Sequence, residues 1–343
     1  MSSTDVIIPC YRYGNFLQQC VESVLSQDGP RIRVLIIDDA SPDNTPEIAT
    51  ELARQDSRVT VVRHSRNVGH IATYNEGIEW ASAEYMLLLS ADDYLLPGAL
   101  RRSATLMDDH PEIGFTFGNV FQLTATGVMK AVTCLPYGTG TAKYRIFSGL
   151  DFIRISKASN IVPTATAVVR TMLQKRVGGY RTELPHSGDM EMWFRLATGG
   201  AVGCIEEYQA VYRQHGHNMS HAYTLKDCLP DVQHRKLALD LFFDNSGVQL
   251  PCVENLRREA YRALACDTIA FASAAFNNGR TETTQELESF AVSVSSQVTA
   301  SWPWVKLRLK RVIGLSTWSL LCSAVAMCKA SHRGEYPAND GRT

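Results

Sequence analysis

The chain has 343 residues, 45% apolar and 20% charged, and its 34 Lys and Arg against 35 Asp and Glu leave a formal net charge of -1. This excludes a disordered or fibrous chain and predicts a main domain with an appended piece. The near-neutral charge, with no aromatic-studded basic stretch in the N-terminal two thirds, argues against nucleic acid as a partner.

Nine cysteines are scattered singly, without the close pairs of a zinc or redox motif, and read as mostly buried thiols of a reducing compartment. No basic region followed by a long apolar run opens the chain, which predicts a cytoplasmic protein. The triplet Asn218-Met219-Ser220 matches a glycosylation sequon, which carries no weight without export.

In chain order, Val6-Ile7-Ile8 predicts a first strand, and Leu17, Val21, Val24 and Leu25 recur at helical spacing. Val34-Leu35-Ile36-Ile37 is a continuous β-branched run of the kind that fills a buried parallel strand. Thr45, Pro46 and Glu47 read as N-cap, first-turn proline and first-turn acid of a helix. A strand over residues 59–62, a helix over 71–81 and a buried strand over 85–89 follow. A helix after Pro97 stops before Pro111. Strands are predicted over 115–121 and 165–169 and a short helix over 189–198, and from Lys226 the pattern is helical, with one helix starting after Pro251 and closed by Gly279. Alternation of this kind predicts an α/β protein with a mostly parallel central sheet, flanking helices and a helical C-terminal extension.

In an open parallel sheet, ligands bind beyond the carboxyl ends of the strands. Three polar clusters stand there: Pro9-Cys10-Tyr11-Arg12 after the first strand, Asp38-Asp39-Ala40-Ser41 after the second, and Ser90-Ala91-Asp92-Asp93 after the strand over 85–89. Carboxylates at strand ends can bond a base or ribose, or hold Mn²⁺ or Mg²⁺ against phosphate oxygens. Neither G-x-G-x-x-G nor G-x-x-x-x-G-K-[ST] is present to cradle phosphate through glycine amides.

These clusters, with VIIPCYRYGNFLQQCVESVLSQ, VLIIDDASPDNT, NVGHIATYNEGIEWASAEYMLLLSADDYLLP, GDMEMWFRLATGG and YRQHGHNMS in that order over roughly residues 5 to 220, resemble family two of the glycosyltransferases, with its GT-A fold. The resemblance implies an inverting, metal-dependent transfer of one sugar from a UDP- or dTDP-linked donor to a hydroxyl of a glycan, a lipid-linked glycan or a small natural product. It implies that Pro9, Tyr11 and Arg12 lie at the base, that Asp39 contacts base and ribose with Asp38 supporting its loop, and that Asn67 and Gly69 position the nucleotide. Asp92 matches the metal-binding acid of the D-x-D signature, with Ala91 and Asp93 beside it. Ser90 departs from that signature, whose first position is normally acidic. His215 and Arg213 match positions that approach metal or diphosphate. Asp189 matches the catalytic base, with Glu191 its support or runner-up, and Trp193 and Arg195 shaping the acceptor side.

The resemblance divides the chain into a donor-binding half over 1–120, an acceptor and catalytic-base half over 121–225, and a helical region over 226–343. Bland readings stand beside these: the Asp38-Asp39 pair as turn acids, Asp92 or Asp93 as the cap of the Pro97 helix, and Asp189 as a helix cap. Ser90 and the helical C-terminus suit a rival, a non-catalytic nucleotide-sugar-binding or assembly subunit. A nucleotidyltransferase is a second rival, for which no glycine- and lysine-rich phosphate loop is found. In the stretch from Trp302 to Arg333, four basic residues (Lys306, Arg308, Lys310, Arg311) precede the mostly apolar run from Val312 to Cys328. This suits an interfacial helix at the inner face of a membrane or a docked, dimer-forming helix.

Overall fold

The computed structural model describes residues 2–135, 143–216, 218–219, 223, 228–314 and 317–318. The chain divides into two compact units, Met1–Leu225 with Pro230–Tyr261, and Lys226–Leu229 with Arg262–Thr343.

The first unit opens with four strands alternating with three helices: β1 (Ser3–Cys10), α1 (Gly14–Leu25), β2 (Arg31–Asp38), α2 (Thr45–Gln55), β3 (Val59–Arg63), α3 (His70–Trp80) and β4 (Tyr85–Leu88). The central aliphatic residues of β1 and β2 have no polar face because helices cover both sides. Val6, Ile7, Ile8, Val34 and Ile36 are fully buried, each contributing about 1.5–3 kcal/mol by leaving water. The chain continues through β5 (Tyr94–Leu95), α4 (Ala99–Asp109), β6 (Ile113–Leu123), β7 (Met129–Val132), β8 (Tyr144–Phe147), α5 (Gly149–Ser156), β9 (Val168–Arg170), α6 (Thr171–Val177), α7 (Gly188–Ala197) and β10 (Ala201–Arg213), then α8 (Leu229–Asp244) and the first part of α9 (Val253–Asn277).

One ten-stranded sheet results, ordered β3-β2-β1-β4-β9-β6-β10-β5, with β7 paired to β6 and β8 to β10. Pairings β3-β2, β2-β1, β1-β4 and β6-β10 are parallel, while β9 lies antiparallel to both β4 and β6. The order reverses between β1 and β4, because the chain runs outward from β1 to β3 and returns through α3 to the other side of β1. Such a reversal opens a crevice at the strands' carboxyl ends. That end is also where the polar clusters stand.

Two elements differ from the sequence expectation. Residues 165–169 begin as a 3₁₀ turn (Thr164–Thr166), with the strand starting only at Val168. Thr45 is the first residue of α2 rather than its cap: Asp43 Oδ1 accepts from the Thr45 amide (3.2 Å) and hydroxyl (2.6 Å), taking over the capping work. All described cysteines are free thiols, and Cys10, Cys20 and Cys204 are the buried ones.

In the second unit, α10 (Thr281–Val294) and α11 (Trp302–Ile313) accompany the later part of α9. Its core includes Leu264, Ile269, Leu287, Ala291, Val298 and Leu307, all 1% exposed or less. No helix among the described residues is long and apolar enough to cross a membrane. Most of the run from Val312 to Cys328 lies outside the described residues.

Candidate active site

The loops that follow β1 and β2 are pinned to each other. Arg12 N–H donates to Ser41 Oγ (2.9 Å), Ser41 N–H to Asp38 Oδ1 (3.0 Å) and Asp39 N–H to the Cys10 carbonyl (2.9 Å). Arg12 and Ala40 hold left-handed backbone at φ +64° and +56°, a conformation that costs a non-glycine residue about 1 kcal/mol and persists only where surroundings over-determine it. Pro9 is buried within β1 and Tyr11 stands exposed at its tip. Asp38 is fully buried, its Oδ2 3.4 Å from Arg63 Nε without hydrogen-bond geometry. It supports the loop rather than facing out.

Asp39 is brought together with Asn67 and Gly69. Its Oδ1 accepts from Val68 N–H (2.8 Å) and its Oδ2 from Gly69 N–H (2.9 Å), while Asn67 Nδ2 donates to the Asp39 carbonyl (3.2 Å). Gly69, at φ +88°, occupies a conformation that suits glycine and turns the chain into α3. A residue not singled out from sequence completes the cluster: His64, just past β3, has Nδ1 2.7 Å from Asp39 Oδ1 and Nε2 2.7 Å from Glu76 Oε2. Burial alone would lower its pKa, but the two carboxylates outweigh this and raise it.

Ser90-Ala91-Asp92-Asp93 forms the turn between β4 and β5, closed by Asp93 N–H donating to the Ser90 carbonyl (3.0 Å). Ala91 is buried beneath it. The two acids point to different partners. Asp93 accepts from the Arg213 backbone amide (2.9 Å), and Asp92 Oδ2 lies 3.0 Å from His215 Nε2. Burial pushes both carboxyls up, Asp93 further through the charge of Asp92, while His215 pulls Asp92 back. Phe16 stacks on the His215 ring at 5.2 Å, Tyr13 meets it edge-on, and the Arg213 guanidinium lies over both Phe16 and Tyr94 at 5.0 Å. Asp92 and His215 thus face each other as one carboxylate and one imidazole, an N/O pair that a divalent ion accepts, while Asp93 is turned to the Arg213 amide. Among the described residues there is no group of three or more His, Cys, Asp or Glu side chains that could hold a metal ion.

Asp189 sits in the first turn of α7, after Ser187 at φ +61°. Its Oδ2 accepts from Asn160 Nδ2 (2.6 Å) and its Oδ1 from Met190 N–H (2.8 Å). Burial raises its pKa, which suits a carboxylate that must accept a proton. It does not cap α7; Ser187 holds that position. Burial raises the phenol of Tyr74, on α3, and the charges of Asp189, Asp92 and Asp93 add to that shift. Beside it, Asn75 donates to the Tyr180 carbonyl (2.9 Å) and accepts from its amide (2.6 Å), while Tyr74 and Tyr180 meet edge-on at 5.3 Å.

Glu191 is not brought to this cleft. It is fully buried, with Oε1 accepting from Arg181 Nε and Oε2 from Arg195 Nε, each at 2.9 Å. Saturation by two guanidiniums suits a support and argues against a base. Trp193 and Arg195 are 3% and 4% exposed and belong to the core under α7, Trp193 stacking on Phe115 at 5.7 Å. Neither shapes a surface. His64, Tyr74, Tyr13 and Phe16 also belong to this region, and no motif in the sequence singles them out. His64 directly follows an apolar strand, so the strand-end rule would have found it at β3.

A strand order that reverses beside β1 and an acid cluster at the reversal point describe a nucleotide-binding α/β domain of the GT-A type. The sequence model of glycosyl transferase family 2 matches residues 5–176, and the chain belongs to that family. It is similar to an uncharacterised protein of Mycobacterium tuberculosis, 27% identical over 62% of this chain and 66% of that one. A glycosyltransferase of Streptococcus pneumoniae, GlyG, is 36% identical over 26% of this chain and 30% of its own length. Both alignments therefore span less than two thirds of those relatives. Among solved structures, Staphylococcus aureus TarS residues 1–349 in complex with UDP-GlcNAc matches with a TM-score of 0.66 at 18% identity, over 99% of this chain and 95% of that one. The mannosyltransferase PcManGT of Pyrobaculum calidifontis, in complex with GDP-Man and Mn²⁺, matches with a TM-score of 0.55 at 18% identity, over 91% and 87%. At such identity the likeness is one of fold.

Proposed function

We propose that the chain transfers a single sugar from a UDP- or dTDP-linked donor to a hydroxyl of a glycan, lipid-linked glycan or small natural product, inverting the anomeric carbon. The observation that carries this reading is the match of residues 5–176 to glycosyl transferase family 2, with Asp92 held 3.0 Å from His215 in the turn that follows β4. TarS with its UDP-GlcNAc and PcManGT with its GDP-Man and Mn²⁺ support a nucleotide-sugar donor on this fold.

On this reading Tyr11 and Asp39 meet the base and ribose, Arg12 lies beside them, and Asn67 and Gly69 fix the loop that carries Asp39. Asp92 and His215 would hold a Mn²⁺ or Mg²⁺ ion, which would supply positive charge to the leaving diphosphate. Asp93 and Arg213 brace that corner. Asp189 takes the acceptor proton as the hydroxyl oxygen bonds to the anomeric carbon, whose bond to diphosphate breaks with the electron pair leaving on oxygen. Asn160 orients Asp189, and Glu191 anchors the helix beneath it.

Calorimetric titration of UDP, dTDP, GDP and CDP, each with and without Mn²⁺, tests the donor side. Metal-strengthened binding of one nucleotide is expected. Binding of none overturns the reading, and binding without release of nucleoside diphosphate from any donor leaves a non-catalytic subunit. Transfer undiminished in Asp189→Ala removes that residue from the base role.

A further inference from the structure

Helix α11 carries a surface that the cleft does not use. The helix is well delimited: Ser301 Oγ accepts the Trp304 amide (3.4 Å), Pro303 stands in its first turn, and Gly314 ends it at φ +86°. Its inner face is satisfied. Leu307 and Lys310 are buried, Lys310 Nζ donates to Ser273 Oγ (2.6 Å) and Asn277 Oδ1 (3.1 Å), and Arg311 pairs with Glu288.

The outer face is apolar and open to solvent. Trp302, Val305, Leu309 and Val312 are 72%, 46%, 48% and 84% exposed, and steps of three and four residues align them as one stripe along the helix. Exposed Lys306 and Arg308 border that stripe on opposite sides, with no hydrogen bond or ion pair to a described residue. The helix contains no acidic residue.

We propose that this face rests on an anionic lipid bilayer, lying in the interface rather than crossing it. An apolar stripe with tryptophan at one end and basic residues along both borders matches the layered chemistry of acyl chains beneath anionic headgroups. A second copy fits less well, because a two-fold contact across the stripe would bring Lys306 and Arg308 of both copies together with no acid between them. The sequence adds a further argument: from Gly314 to Cys328 it carries no charged residue, prolonging the apolar character beyond the helix. This inference is independent of the donor site and stands or falls without it.

Flotation of the full chain with vesicles of phosphatidylcholine, with and without phosphatidylglycerol, tests it. Binding is expected only with the anionic lipid, weakening at high salt. Lys306→Glu with Arg308→Glu should lower partitioning at least about tenfold, and Trp302→Ser with Leu309→Ser should abolish it. Far-ultraviolet circular dichroism checks that both remain folded; Val312→Ser, at the most exposed stripe position, is the milder alternative. Absence of binding to anionic vesicles, or binding indifferent to these substitutions, overturns the proposal. So does a wild-type dimer in sedimentation that Trp302→Ser with Leu309→Ser converts to monomer, since a second copy then covers the face.

Discussion

Along β1, β2 and β4 the chain buries aliphatic runs in parallel ladders and gathers its polar groups at the strand tips. Around β6, β9 and β10 the ladders are mixed, the core is aromatic, and charge lies inside. Phe115, Phe117, Phe152, Trp193 and Phe194 pack there as successive ring pairs, and Glu191 with Arg195 is buried among the same elements. In the first region the acids stand at the strand tips and brace the loops there, Asp39 on the Val68 and Gly69 amides, Asp92 on His215 and Asp93 on the Arg213 amide. In the second, Glu191 is taken up by the guanidiniums of Arg181 and Arg195, whereas Asp189 accepts from the neutral donors Asn160 Nδ2 and Met190 N–H.

The sharpest test of that contrast sets Asp189 against Glu191, two residues apart on one helix. Asp189→Asn is expected to lower nucleoside diphosphate release by roughly 10²–10⁴-fold, the usual span for a general base, with nucleotide binding in calorimetry and melting temperature unchanged. Glu191→Ala should act on stability instead. It strands the buried Arg195 guanidinium and unpairs the partly exposed Arg181, at a cost of about 3–5 kcal/mol, read from urea unfolding. If Glu191→Ala spares stability and removes turnover, the division of labour drawn here is wrong.

A smaller effect is expected at the strand tips. Asp39→Ala removes the acceptor of the Val68 and Gly69 amides and should raise the nucleotide Kd while lowering stability by about 1–3 kcal/mol, read from calorimetry and urea unfolding. The smallest is a pH effect at His64. Because its folded pKa is raised, the support that the charged ring gives to Asp39 is complete below the ordinary histidine value and lost as pH climbs through the raised one. Nucleotide affinity should therefore decline over that alkaline side, and His64→Gln should flatten the profile.

Legibility in the sequence followed the same divide. Parallel strands buried on both faces must be apolar throughout, so β1, β2 and β4 announce themselves, and the residues after them are found by position alone. β10 buries two separate runs, residues 202–205 and 209–211, on either side of the less buried Glu206, Glu207 and Tyr208, with register shifts against β6, so no single period marks it. β7 and β8 are four-residue edge strands with little burial. Trp193 and Arg195 looked like surface chemistry because a tryptophan and an arginine on one helix carry no sign of which way they face. Asp92 could be paired with His215 only by likeness, since 123 residues separate them.

One contact beneath the cleft bears on all of this. Gly77, one turn along α3 from Tyr74, approaches β1 so closely that a methyl group there would stand 2.3 Å from Ile7 Cγ2. The helix can sit at that depth only because the position is bare. A single added carbon would act as a shim, lifting Tyr74 and its neighbours outward while leaving every polar residue of the cleft chemically intact. The depth at which α3 carries Tyr74 is thus gauged from below by hydrocarbon, and Gly77→Ala offers a way to shift that helix without altering a polar side chain.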